Sequence, residues 1–361
     1  MKRRINPFKI LALAAVIALP ALSRAAGNED GSEKKKNISK SYTVGPNEKL
    51  KIENSFGDVV INTWDKSEFK VDIEMYAKAT SDERAQYMLD HIKVEDSQSD
   101  NAVRFKTDVH INGGNNDGDD DDDDDNKGNH KHHGNKNQEF HINYVVYMPS
   151  TNPLDLTNSF GKTTVPDFKG LANITSKFGS LTAGNLSNVD MIDVEFGKAE
   201  IGDVHNGKIT FKFDDKSTVG KLTGTVKISN EFSGNLQYNV GNGIEDLMIN
   251  DSYSSVRVVV PKDLSASFTI HTNFGEFHNS TDFAIKESGE EDDNSGPKFD
   301  KDFAGTVGDG KARIKIKSSF GDLHLTHDAL SKDEMEKERA EKKERKEKKE
   351  KKEAKESEES K

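Results

Sequence analysis

Apolar and polar residues alternate along several short stretches of the chain, which is the pattern of half-buried β-strands. The alternating apolar sets are Leu50 and Ile52; Val59 and Ile61; Phe69, Val71, Ile73 and Met75; Val103, Phe105, Val109 and Ile111; Phe140, Ile142, Tyr144 and Val146. One helix interrupts them, with Thr80 as the predicted N-cap and Glu83 completing a capping box. We therefore predict a β-rich section with one short helix over residues 40–149.

A Phe-Gly pair recurs along the chain and marks an internal repeat. Its copies are Phe56-Gly57, Phe160-Gly161, Phe178-Gly179, Phe196-Gly197, Phe274-Gly275 and Phe320-Gly321, with degenerate copies at Phe213-Asp214, Phe232-Ser233 and Tyr253-Ser254. From Phe160 to Phe274 the successive aromatic residues lie 18, 18, 17, 19, 21 and 21 positions apart. Spacing this regular is typical of stacked repeats.

Within each copy, apolar residues follow the aromatic residue at the third, fifth and often the eighth position. The glycine predicts a bend or a positive φ, and the alternation after it predicts a short strand. A unit of this size cannot bury its apolar face alone, so neighbouring copies must share one interior. We predict a mainly β fold in which residues 150–327 form a parallel β-solenoid of about 18–21-residue repeats, with the aromatic rings of Phe178 and Phe196 buried inside. An antiparallel β-sandwich is the alternative.

The first 25 residues have the features of a secretory signal peptide. Basic residues precede an apolar run over residues 10–22, and Ser23 and Ala25 favour cleavage after Ala25. An uncleaved anchor is the alternative. No later stretch is long and apolar enough to span a bilayer. We therefore predict an exported protein, with no transmembrane segment in the mature chain.

Composition narrows the classes of function. The 361 residues are 32% hydrophobic and 32% charged, contain no cysteine and carry a formal charge of −12. Cleavage would remove five positive charges and leave −17. A chain this acidic is a poor partner for nucleic acid, whose phosphates require a basic surface. The absence of cysteine excludes disulfides and thiolate metal sites.

An acidic, histidine-containing segment over residues 112–138 is predicted to be a disordered loop. Its aspartates lack the alternating ligand spacing of a calcium-binding hand, and a low-complexity surface loop is the simpler interpretation. We predict no cofactor, with a divalent cation at this loop as the alternative. The candidate metal ligands are Asp119, Asp121, Asp123, Asp125, His130, His132 and His133.

The C-terminal segment over residues 331–361 is dominated by charge. Of its 31 residues, 25 are charged, and acidic residues often precede basic ones by four positions. That order favours a solvated, partly helical tail, and no apolar stripe accompanies it. A charged spacer is the alternative.

No motif of a nucleophile elbow, a phosphate-binding loop or a zinc-binding helix occurs in the chain. Solenoids that cleave polysaccharides gather carboxylates on one face, and paired carboxylates act in glycoside hydrolysis only at particular separations. The sequence does not supply those separations, and we predict a non-enzymatic protein. The aspartates considered for such a role are Asp190, Asp193, Asp203, Asp214 and Asp215.

Four segments of the chain carry a resemblance to a known family. They are Tyr42-Thr-Val-Gly-Pro46; the run from Leu50 to Asp65, which contains Phe56-Gly57; Tyr144-Val-Val-Tyr-Met-Pro149; and the copy Asn158-Ser-Phe-Gly161. These segments resemble the DUF4097 adhesin family of exported bacterial proteins. The resemblance covers residues 40–327. It implies repetitive β-structure at the bacterial envelope, in the periplasm or at the cell surface, with an adhesin-like role and no catalytic residues. We predict an adhesin or scaffold that binds an envelope protein or glycan. The alternatives are a sensory, partner-binding module of envelope-stress signalling and a metal-responsive protein acting through the Asp/His loop.

Overall fold

The computed structural model describes residues 31–99, 101–111, 138–214, 216–234, 236–288 and 299–331, and then 333–335, 337, 340, 341, 344 and 348. The predicted signal peptide and the predicted metal ligands of the Asp/His loop lie outside the described residues. The described chain is mainly β and divides into two compact units. The first contains the described residues up to Gly170 together with Lys177–Gly179, and the second contains Leu171–Ser176 and the described residues from Ser180 onward.

The strands of the first unit pair in two rows. One row is β1 (Ser32–Thr43), β4 (Glu68–Ala79), β7 (Glu139–Pro149), β3 (Val59–Trp64) and β9 (Lys162–Val165). The other is β5 (Ile92–Gln98), β6 (Ala102–Val109), β2 (Lys49–Ser55) and β8 (Leu154–Ser159). The pairs β1–β4, β4–β7 and β5–β6 are antiparallel and the others are parallel. Buried residues alternate along β2, β3 and β4 as the sequence predicts.

The predicted helix forms, but it begins one residue later than the capping box indicated. α1 covers Asp82–Asp90, and its N-cap is Ser81, whose hydroxyl oxygen accepts a hydrogen bond from the Arg84 backbone N–H at 3.2 Å. The prediction of Thr80 as N-cap is therefore wrong. Ser81 has the extended backbone that places an N-cap side chain over the first turn. Ala85, Met88 and Leu89 of this helix are buried.

The strands of the second unit also pair in two rows. The long-strand row is β12 (Leu186–Glu195), β14 (Val204–Lys212), β15 (Thr218–Glu231), β16 (Leu236–Ser252), β22 (Ala312–Ser319), β18 (Ala266–Asn273), β21 (Asp300–Val307) and β20 (Lys286–Glu287). The short-strand row is β11 (Ser180–Ala183), β13 (Lys198–Ile201), the first parts of β15 and β16, β17 (Val256–Val259), β23 (Leu323–Thr326) and β19 (Phe277–Asn279). Among the described strand pairs of this unit, β18–β21 and β20–β21 are antiparallel and the others are parallel. β10 (Phe168–Lys177) has residues in both units.

Successive copies of the repeat pair in register along the second unit. Ser180 lies beside Lys198 in the parallel pair β11–β13, and Val204 lies beside Leu222 in the pair β14–β15. The apolar residues predicted to line the interior are buried; they are Leu181, Ala183, Leu186, Ala199, Ile201, Val204, Leu323 and Leu325. The arrangement is a mixed but mostly parallel β-structure in which each copy contributes a strand to each row.

The order of the copies in space differs from their order in the sequence. The 21-residue step from Tyr253 to Phe274 predicts that these two copies are neighbours, but β22, from the Phe320 copy, lies between β16 and β18. Asp251 has Ser318 as its parallel partner, 67 positions further along the chain. The last copy of the repeat therefore occupies an internal position, and β21 and β20 close the row beyond β18.

Candidate binding surface

The aromatic residue of each copy lies at a corner between a strand of one row and a strand of the other. All nine of these residues have a positive φ, between 50° and 65°. Their side chains are 38–52% exposed. The prediction that the rings of Phe178 and Phe196 are buried inside is therefore wrong.

The corner explains why these rings face outward. The residue two positions before the aromatic is buried in all nine copies, so the alternation of a continuous strand would also direct the aromatic side chain inward. A left-handed residue interrupts that alternation and turns the chain. Because this conformation is unfavourable for a bulky residue, the contacts of each ring must offset its strain.

The rings contact one another as a ladder along the outside of each unit. In the second unit, Phe196, Phe213, Phe232, Tyr253, Phe320 and Phe274 form a continuous stack with centroids 4.7–5.3 Å apart and interplanar angles of 1–6°. Phe299 extends it at 4.6 Å. In the first unit, Phe56, Phe160 and Phe178 stack at 5.1 and 4.8 Å, and Phe140 contacts Phe56 at 5.2 Å. The spacing matches the separation of neighbouring strands, which is about 4.8 Å.

The chain bends at each Phe-Gly pair, as predicted, but the glycine does not supply the positive φ. It is the aromatic residue that adopts the positive φ, and Gly57, Gly161, Gly275 and Gly321 do not. A Cβ at Gly161 would lie 1.9 Å from the Gly57 carbonyl oxygen, and a Cβ at Gly275 would lie 2.0 Å from that of Gly321. The backbones of adjacent copies approach too closely at this position to admit a side chain.

In seven of the nine copies the buried residue two positions before the aromatic is polar; Val194 and Phe211 are the exceptions. Asn54 donates to the Asn158 side-chain oxygen at 3.1 Å in the first unit. In the second unit, Asp251 accepts from the Asn230 amide at 3.2 Å and from the Ser318 hydroxyl at 3.1 Å. Burial raises the pKa of Asp251 to about 6 although these hydrogen bonds favour its charged form.

The aspartates considered for catalysis occupy different environments. Asp203 accepts from the Lys221 backbone N–H at 2.8 Å, and buried Asp214 accepts from the Ser217 hydroxyl at 2.7 Å. Asp190 is exposed and Asp193 is half-buried, while Asp215 lies outside the described residues. Asp203 and Asp214 thus hold turns of the repeat.

Within the described ranges, one group of side chains has the composition of a metal site: His278, Asp322 and His324. The sequence interpretation missed it because His278 and His324 are 46 positions apart. The repeat contains the signal, since both copies have an acidic residue at the second position after phenylalanine and a histidine at the fourth. Aligning the Phe274 and Phe320 copies would have paired them.

Among the described residues, no helix has the length and apolar character needed to cross a membrane. No family model matches the chain and no curated protein matches it, so membership of DUF4097 remains a prediction.

Three solved structures are similar to parts of this protein. A "putative cell adhesion protein" from Clostridium sporogenes ATCC 15579 is 12% identical, with 81% of this chain and 99% of that chain covered and a TM-score of 0.22. A "putative adhesin" from Bacteroides fragilis NCTC 9343 is 11% identical, with coverage of 80% and 97% and a TM-score of 0.33. A "putative adhesin" from Parabacteroides distasonis ATCC 8503 is 13% identical, with coverage of 82% and 98% and a TM-score of 0.28.

Proposed function

We propose that the protein is a non-enzymatic, exported β-solenoid of the bacterial envelope that acts as an adhesin or scaffold. In this proposal it binds a protein at the envelope or cell surface through the exposed aromatic ladder. The predicted signal peptide and the resemblance to DUF4097 support export.

The in-register parallel pairs support the solenoid. Ser180 beside Lys198 and Val204 beside Leu222 are both offsets of 18 residues, the length of one repeat copy. A solenoid presents the same chemistry once per copy along one face. Such a face suits many weak contacts, because each contact after the first is intramolecular and adds avidity.

The observation that carries the proposal is the half-exposed stack from Phe196 to Phe274. A row of exposed phenylalanines on one side of a soluble protein is unusual unless the row contacts a partner. The rings cover each other's faces, so their edges are what a partner meets. A sugar stacks on a ring face, and the covered faces therefore favour a protein surface as the partner.

The test compares adhesion of the mature protein with that of a variant in which Phe196, Phe213 and Phe232 are changed to asparagine. Asparagine tolerates a positive φ better than most residues, so the corners keep their backbone while the apolar edges are lost. Binding to intact bacterial cells is measured before and after protease treatment of the cells, and separately after periodate oxidation of their glycans. We expect binding that protease abolishes, periodate spares and the triple variant loses.

A matched control changes two exposed apolar residues outside the ladder, Leu171 and Met191, to asparagine. This control should bind like the wild type. Equal binding by the triple variant, or binding that only periodate removes, would contradict the proposed role of the ladder.

Cell fractionation tests the export step, for which we expect a mature N-terminus at Ala26 outside the cytoplasm.

A further inference from the structure

Two neighbouring strands carry the same pair of side-chain types in register. His278 on β19 is the parallel partner of His324 on β23. Two residues earlier, Glu276 and Asp322 also lie side by side: the Leu323 backbone N–H donates to the Glu276 carbonyl oxygen at 2.9 Å, and the Glu276 backbone N–H donates to an Asp322 carboxylate oxygen at 3.4 Å. Two carboxylates and two imidazoles therefore meet on one face.

The potential ligand atoms are close together. One from each of His278, Asp322 and His324 lies within 4.8 Å of the other two. The two imidazole rings stack with centroids 4.7 Å apart and an interplanar angle of 16°. A Glu276 carboxylate oxygen is 3.4 Å from His278 Nε2. All three clustered residues are half-buried.

We propose that His278, Asp322 and His324 bind a zinc ion. Two imidazoles and a carboxylate are a ligand set that zinc prefers, with water or another carboxylate in the fourth position. Zinc ligands are about 2.0–2.2 Å from the ion, which places them roughly 3.3 Å from each other. The stacked rings must turn toward a common point, a movement of 1–2 Å on the order of one side-chain rotation.

A zinc ion at this position would join two short strands. β19 has three residues and β23 has four, and the site joins them across the last described pair of the short-strand row. An ion bound there links two segments that are distant in sequence and stabilises the folded state by mass action. Arg257 on β17 is the partner of His324 on the opposite side, so its positive charge opposes cation binding.

The test uses the full mature chain and Zn²⁺ alone, with isothermal titration calorimetry and thermal unfolding as readouts. The variant combines His278→Gln with His324→Gln. The control combines His130→Gln, His132→Gln and His133→Gln in the Asp/His loop. We expect the control to keep a Zn²⁺-dependent rise in melting temperature, and the His278/His324 variant to bind this zinc ion at least tenfold more weakly and to lose that rise.

Two further variants keep the test decisive if the double variant folds poorly. Asp322→Asn should weaken Zn²⁺ binding while preserving the shape of the side chain, and Arg257→Gln should strengthen it by removing a nearby positive charge. Circular dichroism without metal verifies that each variant is folded. The proposal is overturned if the His278/His324 variant binds Zn²⁺ with wild-type affinity and stoichiometry, or if the loop variant loses all binding.

Discussion

Phe211 is completely buried, whereas Phe213, two residues further along the same copy, is 47% exposed. Phe211 packs inside the second unit with its ring 6.2 Å from that of Tyr238, while the Phe213 ring stacks on Phe196 and Phe232 outside. The two rings therefore make unequal contributions to stability although the residue type is the same.

Phe211→Ala should cost about 3–5 kcal/mol, because it leaves a cavity in a packed interior. Phe213→Ala should cost about 1–2 kcal/mol, because roughly half of the ring is already in water and a fully buried ring contributes about 1.5–3 kcal/mol. Urea unfolding midpoints of the two variants measure the difference. Equal losses would mean that the outer stack packs as tightly as the interior.

Gly321→Ala should destabilise the protein by about 3 kcal/mol or more, because the new Cβ would meet a backbone oxygen that cannot move aside. That Cβ would lie 1.7 Å from the Ser254 carbonyl oxygen. Gly243→Ala is the matched control, since its Cβ would be in ordinary contact with Thr223 at 3.4 Å. The control should leave stability unchanged or raise it by about 0.5 kcal/mol through the unfolded chain. Thermal unfolding of both variants tests the close approach, and a tolerated Gly321→Ala would refute it.

Asp251→Asn should change how stability depends on pH. The folded-state pKa of Asp251 is raised from 3.8 to about 6 by burial, so the folded state loses stability from this group as pH rises from about 4 to 6. An asparagine accepts from Asn230 in the same way and has no charge to bury. We expect the variant to gain up to about 3 kcal/mol on the wild type between pH 4 and pH 7.5.

Urea unfolding of wild type and Asp251→Asn at both pH values gives the comparison, and the other carboxylates cancel in the difference. A difference in stability that stays constant with pH would show that the buried carboxyl is not the source. Asn54 and Asn158 in the first unit already form the neutral version of this contact.

His327 should stabilise the fold at low pH. Its ring nitrogens contact the Val260 carbonyl oxygen at 2.8 Å and an Asp282 carboxylate oxygen at 2.9 Å. The hydrogen bond with Val260 is the largest cause of its raised pKa; burial opposes the rise and Asp282 adds to it. A raised folded-state pKa gives stability that is complete below the ordinary value of 6.5 and is lost as pH rises through the folded value.

The variant His327→Gln should therefore be most destabilised relative to wild type at pH 5.5 and least at pH 8.5. Thermal unfolding in the presence of a chelator measures this without interference from metal. A loss of stability that is greater at pH 8.5 than at pH 5.5 would contradict the raised pKa of His327.

The sequence predicted the strands whose apolar residues alternate, because burial of one face requires that alternation. It did not predict β1, whose residues 32–37 are Ser-Glu-Lys-Lys-Lys-Asn. That strand borders β4 at the outside of its row, where lysine-rich strands are common because they discourage further pairing. The alternation of apolar residues predicted which residues around a corner are buried. It did not predict the outward direction of the aromatic side chain, because that direction depends on the positive φ of the aromatic residue itself.

The spacing of the repeat predicted the stacking of copies but not the place of the last one. Regular spacing implies that each copy pairs with the next in sequence. Phe274 and Phe320 are 46 positions apart, and nothing in the pattern between them indicates that the chain passes beyond β18 and returns. The pairing of His278 with His324 does not depend on that return, because the Phe274 and Phe320 copies follow one another in sequence. The return determines only that Arg257 is the other neighbour of His324.

The internal position of the Phe320 copy has a consequence for biogenesis. A chain that emerges N-terminus first produces β16 and β18 before β22, so neither strand can form its pair with β22 until the last copy has been made. Until then, both strands have an unpaired edge that is open to association with other chains. Premature termination that removed residues 312–326 would therefore leave a product in which β16 and β18 each have an unpaired edge, and such edges promote aggregation.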